Sequence, residues 1–175
     1  SGVVFTVDDY EETWRRLDTP DGKINLVVPD LLEELSSLPP EVEVDSEFPF
    51  VLSAGERRSS TANTIFRDPS WRKKDGGAAL RIHPSDAASV GVEAGGVVRV
   101  VTRRGAVEAP VEITDAMQPG HVSLPNGLGL SAHDDDGHAT IDGVAPNELT
   151  SGDERDWLAG TPWHKHVRAR LEAVA

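Results

Sequence analysis

Val98-Arg99-Val100-Val101-Thr102-Arg103-Arg104-Gly105-Ala106-Val107-Glu108-Ala109-Pro110-Val111-Glu112 is the stretch on which the fold turns. Apolar side chains recur at every second position on both sides of a glycine-containing turn, the period of a half-buried strand. With Arg104-Gly105 as a two-residue turn, Thr102 faces Val107, Val100 faces Ala109 and Val98 faces Val111. One face is then largely apolar, and Arg99, Arg103, Glu108 and Glu112 lie on the other. This is a β-hairpin with a buried side.

Working outward, the hairpin is preceded by Ala79-Leu80-Arg81-Ile82, a short strand, and by His83-Pro84-Ser85-Asp86-Ala87-Ala88-Ser89-Val90-Gly91. Proline and an acidic residue at the start and glycine at the end mark that second segment as one short helix. Upstream, Phe48-Pro49-Phe50-Val51-Leu52 reads as a buried strand that enters a polar loop, Ser53 to Thr64. Downstream, Met117-Gln118-Pro119-Gly120 turns the chain into His121-Val122-Ser123-Leu124, read as a core strand, and a final apolar strand runs from Val167 to Leu171. Short strands, one short helix and frequent Gly and Pro turns favour a small β-barrel over a parallel α/β sheet.

The first stretch, to about Ser46, differs. Leu31, Leu35 and Leu38 repeat at helical spacing, Leu32 widens the stripe, and Pro39-Pro40 stops the helix. Residues 1–46 are expected to form a helical connector with one apolar stripe packed on a barrel formed by residues 47–175.

Composition narrows the function. The 175 residues suffice for a real core without a staple. Aromatics are 5%, so the core must be aliphatic. A net charge of −13 repels phosphate backbones, and nucleic acid is not an expected partner. No apolar stretch has the length of a membrane span. With zero cysteines the chain cannot itself supply thiolate metal ligands, iron–sulfur ligation or a cysteine nucleophile.

Several motifs lose to plainer readings. Gly127-Leu128-Gly129 resembles a dinucleotide fingerprint, but an acidic loop follows where that motif needs a helix. As a calcium loop, Asp134, Asp136 and Gly137 fall into place while Ala132 and Gly143 occupy two main ligand positions, so a solvated acidic loop is expected. His164 and His166 lack partners at zinc-site spacing and read as surface or packing residues. No nucleophile elbow or ordered triad stands out, so neither a catalytic residue nor a protein metal ligand is assigned. The loop Ser53–Thr64 is different, for it gathers hydroxyls, an amide, a glycine and two arginines. Such a loop can offer N–H groups and guanidinium forks to phosphate. On chemistry alone, a solvated polar loop explains it equally well.

The order of segments resembles a known family. Phe50-Val51-Leu52 into Gly55-x-Arg57, then Thr61-x-Asn63-Thr64, is similar to the first strand and loop of the molybdopterin dinucleotide-binding domain. That domain closes oxidoreductases of the dimethyl sulfoxide reductase superfamily, formate dehydrogenases and nitrate reductases among them. Ile82-His83-Pro84-Ser85-Asp86-Ala87-Ala88 resembles its helix segment, and Val98 to Gly105 its hairpin. Met117 to Gly127, Asn147-x-Leu149-Thr150 and Pro162-Trp163-His164-Lys165 resemble its later segments.

The resemblance implies a mainly β fold: a six-stranded double-psi β-barrel with one or two short helices, forming one wall of a cofactor tunnel. It implies that molybdopterin guanine dinucleotide is held by Gly55, Arg57, Thr61, Asn63, Thr64, Asn126, Asn147 and Lys165, with molybdenum bound through the pterin. Family members often carry Arg directly after the loop glycine, where this chain has Glu56. Either Arg57 or Arg58 then meets phosphate, or Glu56 meets a guanine N–H edge. The expected partners are other domains of the same formate dehydrogenase-like polypeptide, in the cytoplasm. The isolated chain is expected to be monomeric and inactive, because it places the cofactor and does not perform the chemical step. The alternative is a double-psi barrel serving as a protein-interaction or substrate-recognition module without cofactor.

Overall fold

The computed structural model describes residues 9–38, 44–56 and 78–174. The chain divides into two units, Ser1–Val42 and Glu43–Ala175.

In the first unit, α1 spans Tyr10–Trp14 and α2 spans Pro29–Ser37. Proline begins α2, where its missing N–H costs nothing, and Asp30 lies in the first turn beside the positive end of the helix dipole. Leu31, Leu32 and Leu35 of α2, with Leu38 at its C-cap, make up the apolar stripe.

The second unit is a mainly β structure, a closed six-stranded barrel of the double-psi class. Its strands are β1 (Phe50–Glu56), β2 (Leu80–Ile82), β3 (Val97–Thr102), β4 (Ala106–Ile113), β5 (His121–Pro125) and β8 (Val167–Ala173). Around the barrel the order is β1-β5-β2-β4-β3-β8. The pairs β1/β5 and β2/β4 are parallel, and the others antiparallel. Parallel neighbours need crossover connections, which is why strands distant in sequence lie side by side.

Alternation puts one face of every strand inside. Leu52, Leu80, Ile82, Val98, Val100, Ala109, Val122, Leu124 and Ala169 lose all their exposure. The core is aliphatic apart from Phe50, as the scarcity of aromatics requires. Helix α3 (Pro84–Val90) lies between β2 and β3 and contributes Ala87 to that core. His83 caps it through Nδ1, which accepts from the Ser85 amide at 3.2 Å.

The hairpin keeps its faces but not its register. Val98 lies opposite Ala109 and Val100 opposite Val107, two residues from the pairing expected with an Arg104-Gly105 turn. The turn is centred on Arg103-Arg104 instead. The Thr102 hydroxyl accepts from the amides of Arg104 and Gly105 and donates to the Leu149 carbonyl at 2.9 Å. A slip of two preserves the inward and outward sets, so the buried side is unchanged.

Two other boundaries move. β1 continues to Glu56, through residues expected to be loop. The acidic loop carries a two-stranded ribbon, β6 (Ser131–His133) and β7 (Ala139–Ile141). Asp134 Oδ1 closes it by accepting from the amides of Asp136 and His138 at 3.1 and 2.7 Å.

Phe48 is 4% exposed, with the guanidinium groups of Arg103 and Arg170 at 4.8 and 5.3 Å from its ring centroid. Asp45 holds this arrangement, accepting from Arg103 Nη2 at 2.6 Å and from the Phe48 amide at 3.1 Å.

Candidate functional site

At the far end of β1 the ladder with β5 is interrupted. Ala54 pairs with Leu124 and Glu56 with Pro125, which leaves Gly55 as the extra residue of a β-bulge. Its φ of +101° lies where side-chain-bearing residues are strained, and glycine resolves that. The bulge turns Gly55 out of the ladder toward two neighbours. A Cβ placed on it would lie 3.6 Å from Asn126 Cβ and 3.9 Å from His164 Cδ2.

Each neighbour is fixed by backbone. The Asn126 amide donates to the Glu56 carbonyl at 3.1 Å, and the Ala54 amide donates to the His164 carbonyl at 2.7 Å. His164 Nδ1 lies 2.9 Å from the Pro162 carbonyl. A carbonyl only accepts, so Nδ1 carries the proton and Nε2 is left as an acceptor in the neutral ring. Lys165 follows directly and is exposed.

Asn126 Oδ1 is buried and has no hydrogen-bond partner among the described residues. A buried acceptor without a donor is costly, by about 1–3 kcal/mol, and such atoms are rare in folded proteins.

Behind this surface Glu56 anchors the strand end. Its Oε1 accepts from Arg81 Nη1 at 2.6 Å and its Oε2 from Ser123 Oγ at 2.5 Å, while Arg81 Nε donates to Glu112 Oε1 at 3.0 Å. Burial works against the charged Arg81, but the Glu112 hydrogen bond and the charges of both glutamates outweigh it and raise its pKa above the ordinary arginine value. The network runs across β1, β5, β2 and β4. The Glu56 carboxylate is thus committed to neighbouring strands.

The loop after Asn126 leads to Asn147. Gly129 donates to the Asp142 carbonyl at 2.9 Å, and a Cβ on it would lie 2.1 Å from Ala145 N. Only glycine allows that approach. Ala145 opens the 3₁₀ turn Pro146–Glu148, in which Asn147 is exposed, and Leu149 is buried in the barrel core directly after it.

Of the residues expected from sequence, Gly55 and Asn126 are therefore neighbours, and Lys165 follows the histidine beside them. Gly129, three residues after Asn126, lies against Ala145, two residues before Asn147. Arg57, Thr61, Asn63 and Thr64 lie outside the described residues. His164, read from sequence as a surface or packing residue, stands against Gly55. Its place next to Lys165 in Pro162-Trp163-His164-Lys165 was the available signal. Among the described residues no three His, Asp or Glu side chains cluster as metal ligands. No described helix is long and apolar enough to cross a membrane.

Residues 50–168 match the family described as "Molydopterin dinucleotide binding domain". A periplasmic nitrate reductase from Desulfovibrio desulfuricans is 33% identical over 85 residues, 47% of this chain and 11% of the relative. An F420-dependent formate dehydrogenase subunit alpha from Methanocaldococcus jannaschii is 30% identical over 110 residues, 62% of this chain and 15% of the relative. The chain therefore corresponds to a small part of these relatives. Among solved structures, acetylene hydratase from Pelobacter acetylenicus superposes with a TM-score of 0.59 at 20% identity, covering 73% of this chain and 19% of that one.

Proposed function

We propose that this chain, which belongs to the molybdopterin dinucleotide-binding domain family, forms one wall of the cofactor tunnel in a larger molybdenum oxidoreductase. In this reading Gly55, Asn126, Asn147 and Lys165 grip molybdopterin guanine dinucleotide. Arg57, Thr61, Asn63 and Thr64 supply the remaining contacts.

One observation carries the reading. A buried acceptor without a partner among the described residues, Asn126 Oδ1, lies beside a glycine bulge at the end of a barrel strand. Such an atom fits a ligand that brings its own donor. The exposed Lys165 adds a cation for phosphate on an otherwise acidic protein. The bound group supplies redox chemistry at molybdenum, and the residues of this chain hold and orient it. The interaction-module alternative gives the orphaned acceptor no role.

The whole enzyme is proposed to be formate dehydrogenase-like, with formate as substrate, located in the cytoplasm. Its partners are the other domains of the same polypeptide. The chain alone is proposed to be a monomer without affinity for nucleic acid.

Molybdenum content of the intact enzyme tests the wall. Arg57→Ala should weaken cofactor binding by about 1.5–3 kcal/mol, through loss of a charge-assisted hydrogen bond. His133→Ala and Asp136→Ala should leave occupancy unchanged. The reverse pattern overturns the assignment. Formate turnover and cell fractionation check substrate and location.

A further inference from the structure

We infer that Thr102 and Gly105, in the turn between β3 and β4, are positioning residues for Asn147. The inference rests on the cofactor-wall reading of Asn147 and says what fixes the angle at which that side chain is presented.

Asn147 is exposed, in a 3₁₀ turn of three residues, Pro146–Glu148. The turn is closed by bonds from the Glu148 amide to the Ala145 carbonyl and from the Leu149 amide to the Pro146 carbonyl, both 3.0 Å. Bonds of this class have poor geometry, so so short a turn takes its orientation from what it touches. Leu149 is buried in the core and anchors the turn, but apolar burial is non-directional and sets no angle.

The directional contacts come from the β3–β4 turn. The Thr102 hydroxyl donates to the Leu149 carbonyl at 2.9 Å, and Thr102 itself is 5% exposed. Gly105 lies so close to the Glu148 carbonyl that a Cβ on it would be 2.8 Å from that oxygen. The two carbonyls are consecutive and directly follow Asn147. Gly105 does not have a left-handed φ, so the close approach, and not the backbone conformation, is what demands glycine there. On its outer side the same turn is tied down by Arg103 Nη2, which donates to Asp45 Oδ2 at 2.6 Å. A polar contact to a ligand tolerates displacement of only about 0.5 Å, less than an added methyl at Gly105 would impose.

The test measures the rate at which the folded, intact enzyme loses molybdenum below its unfolding midpoint. Thr102→Val and Gly105→Ala should each speed the loss about threefold to tenfold, the effect of one weakened hydrogen bond. Thr102→Ser keeps the hydroxyl and should stay within about twofold of wild type. Ile82→Ala empties part of the core on β2, a strand with none of the proposed contacts, and destabilises at least as much. It too should stay within about twofold, which separates positioning from loss of stability. In an Asn147→Ala background neither Thr102→Val nor Gly105→Ala should add more than about twofold, because both act through Asn147. In the chain alone, both variants should shift the Asn147 and Glu148 amides in the NMR spectrum. Wild-type rates in both variants, full additivity with Asn147→Ala, or an equal effect of Ile82→Ala overturns the inference. If Asn147→Ala itself leaves the rate unchanged, Asn147 leaves the wall and the inference falls with it, while Arg57→Ala decides the wall reading separately.

Discussion

Arg81 Nη1 lies 2.6 Å from Glu56 Oε1, and this contact ties the end of β1 that carries Gly55 to strand β2. It gives the acidic residue after the bulge a role that does not set a carboxylate against phosphate. Glu56 also accepts from Ser123, so one side chain braces β1 against β5 and β2 at once.

Glu56→Ala should therefore lower stability by about 1–2 kcal/mol, a charge-assisted network discounted for its partial exposure. Glu56 and Arg81 side chains retain 24% and 32% of their surface. Glu56→Gln, which keeps the shape, should cost less. Thermal unfolding of the two variants checks the order, and equal losses would show that the shape and neutral hydrogen bonding of the side chain add nothing to its charge.

Thr102→Val tests the hairpin anchor. Thr102 is 5% exposed, and its hydroxyl donates to Leu149 O at 2.9 Å across 47 residues of sequence. Valine fills the same volume but leaves that carbonyl unpaired, at about 1–3 kcal/mol. The urea midpoint should fall with an unchanged slope, since the surface exposed on unfolding is the same.

That anchor also explains what the sequence could and could not reveal. The inward set Val98, Val100, Thr102, Ala109 and Val111 was legible because alternation is local. The register was not, because the turn is fixed by a bond from Thr102 to a residue far along the chain. β1 was read short for a similar reason: Ser53 and Glu56 look like loop residues until β5 supplies Ser123 and Pro125 as partners. The β6/β7 ribbon is three residues a side and buries none of them, so no apolar period announces it, and a side chain, Asp134, closes it. At the candidate site, the resemblance singles out Gly55, Asn126 and Lys165. The approach of His164 to Gly55 was not legible, because it depends on the Ala54–His164 backbone bond.

Acid should weaken the Asp45–Arg103 pair. The hydrogen bond from Arg103, with that from the Phe48 amide, holds the Asp45 carboxyl below its ordinary value of 3.8. A depressed folded pKa means that the unfolded chain takes up the proton first as pH falls. The contribution is complete well above pH 3.8 and is lost as pH drops through the lower folded value. Asp45→Asn removes the charge while keeping an acceptor for the amides. The stability gap between wild type and Asp45→Asn should be widest near neutral pH and close in acid. A gap that widens on acidification would show that the Arg103 pair is not its source.

Gly129→Ala should be the most damaging of these changes, and it should act on Asn147 without touching it. The new Cβ would lie 2.1 Å from Ala145 N and 2.5 Å from Val144 C, both backbone atoms that cannot swing aside. The residue also has φ of +78°, a conformation that alanine reaches only with strain. Gly137→Ala separates the two effects, for its φ is +83° and a Cβ there meets nothing within 4 Å. That variant should show the conformational cost alone, about 1 kcal/mol. Gly129→Ala should exceed it by at least about 2 kcal/mol, because the strand of chain leading to the 3₁₀ turn must move. The displacement should appear as amide shifts from Val144 to Leu149 in the chain and as reduced molybdenum content in the intact enzyme. Equal destabilisation by the two variants, or an unshifted Asn147 amide, would mean that the Gly129–Ala145 contact does not position the turn.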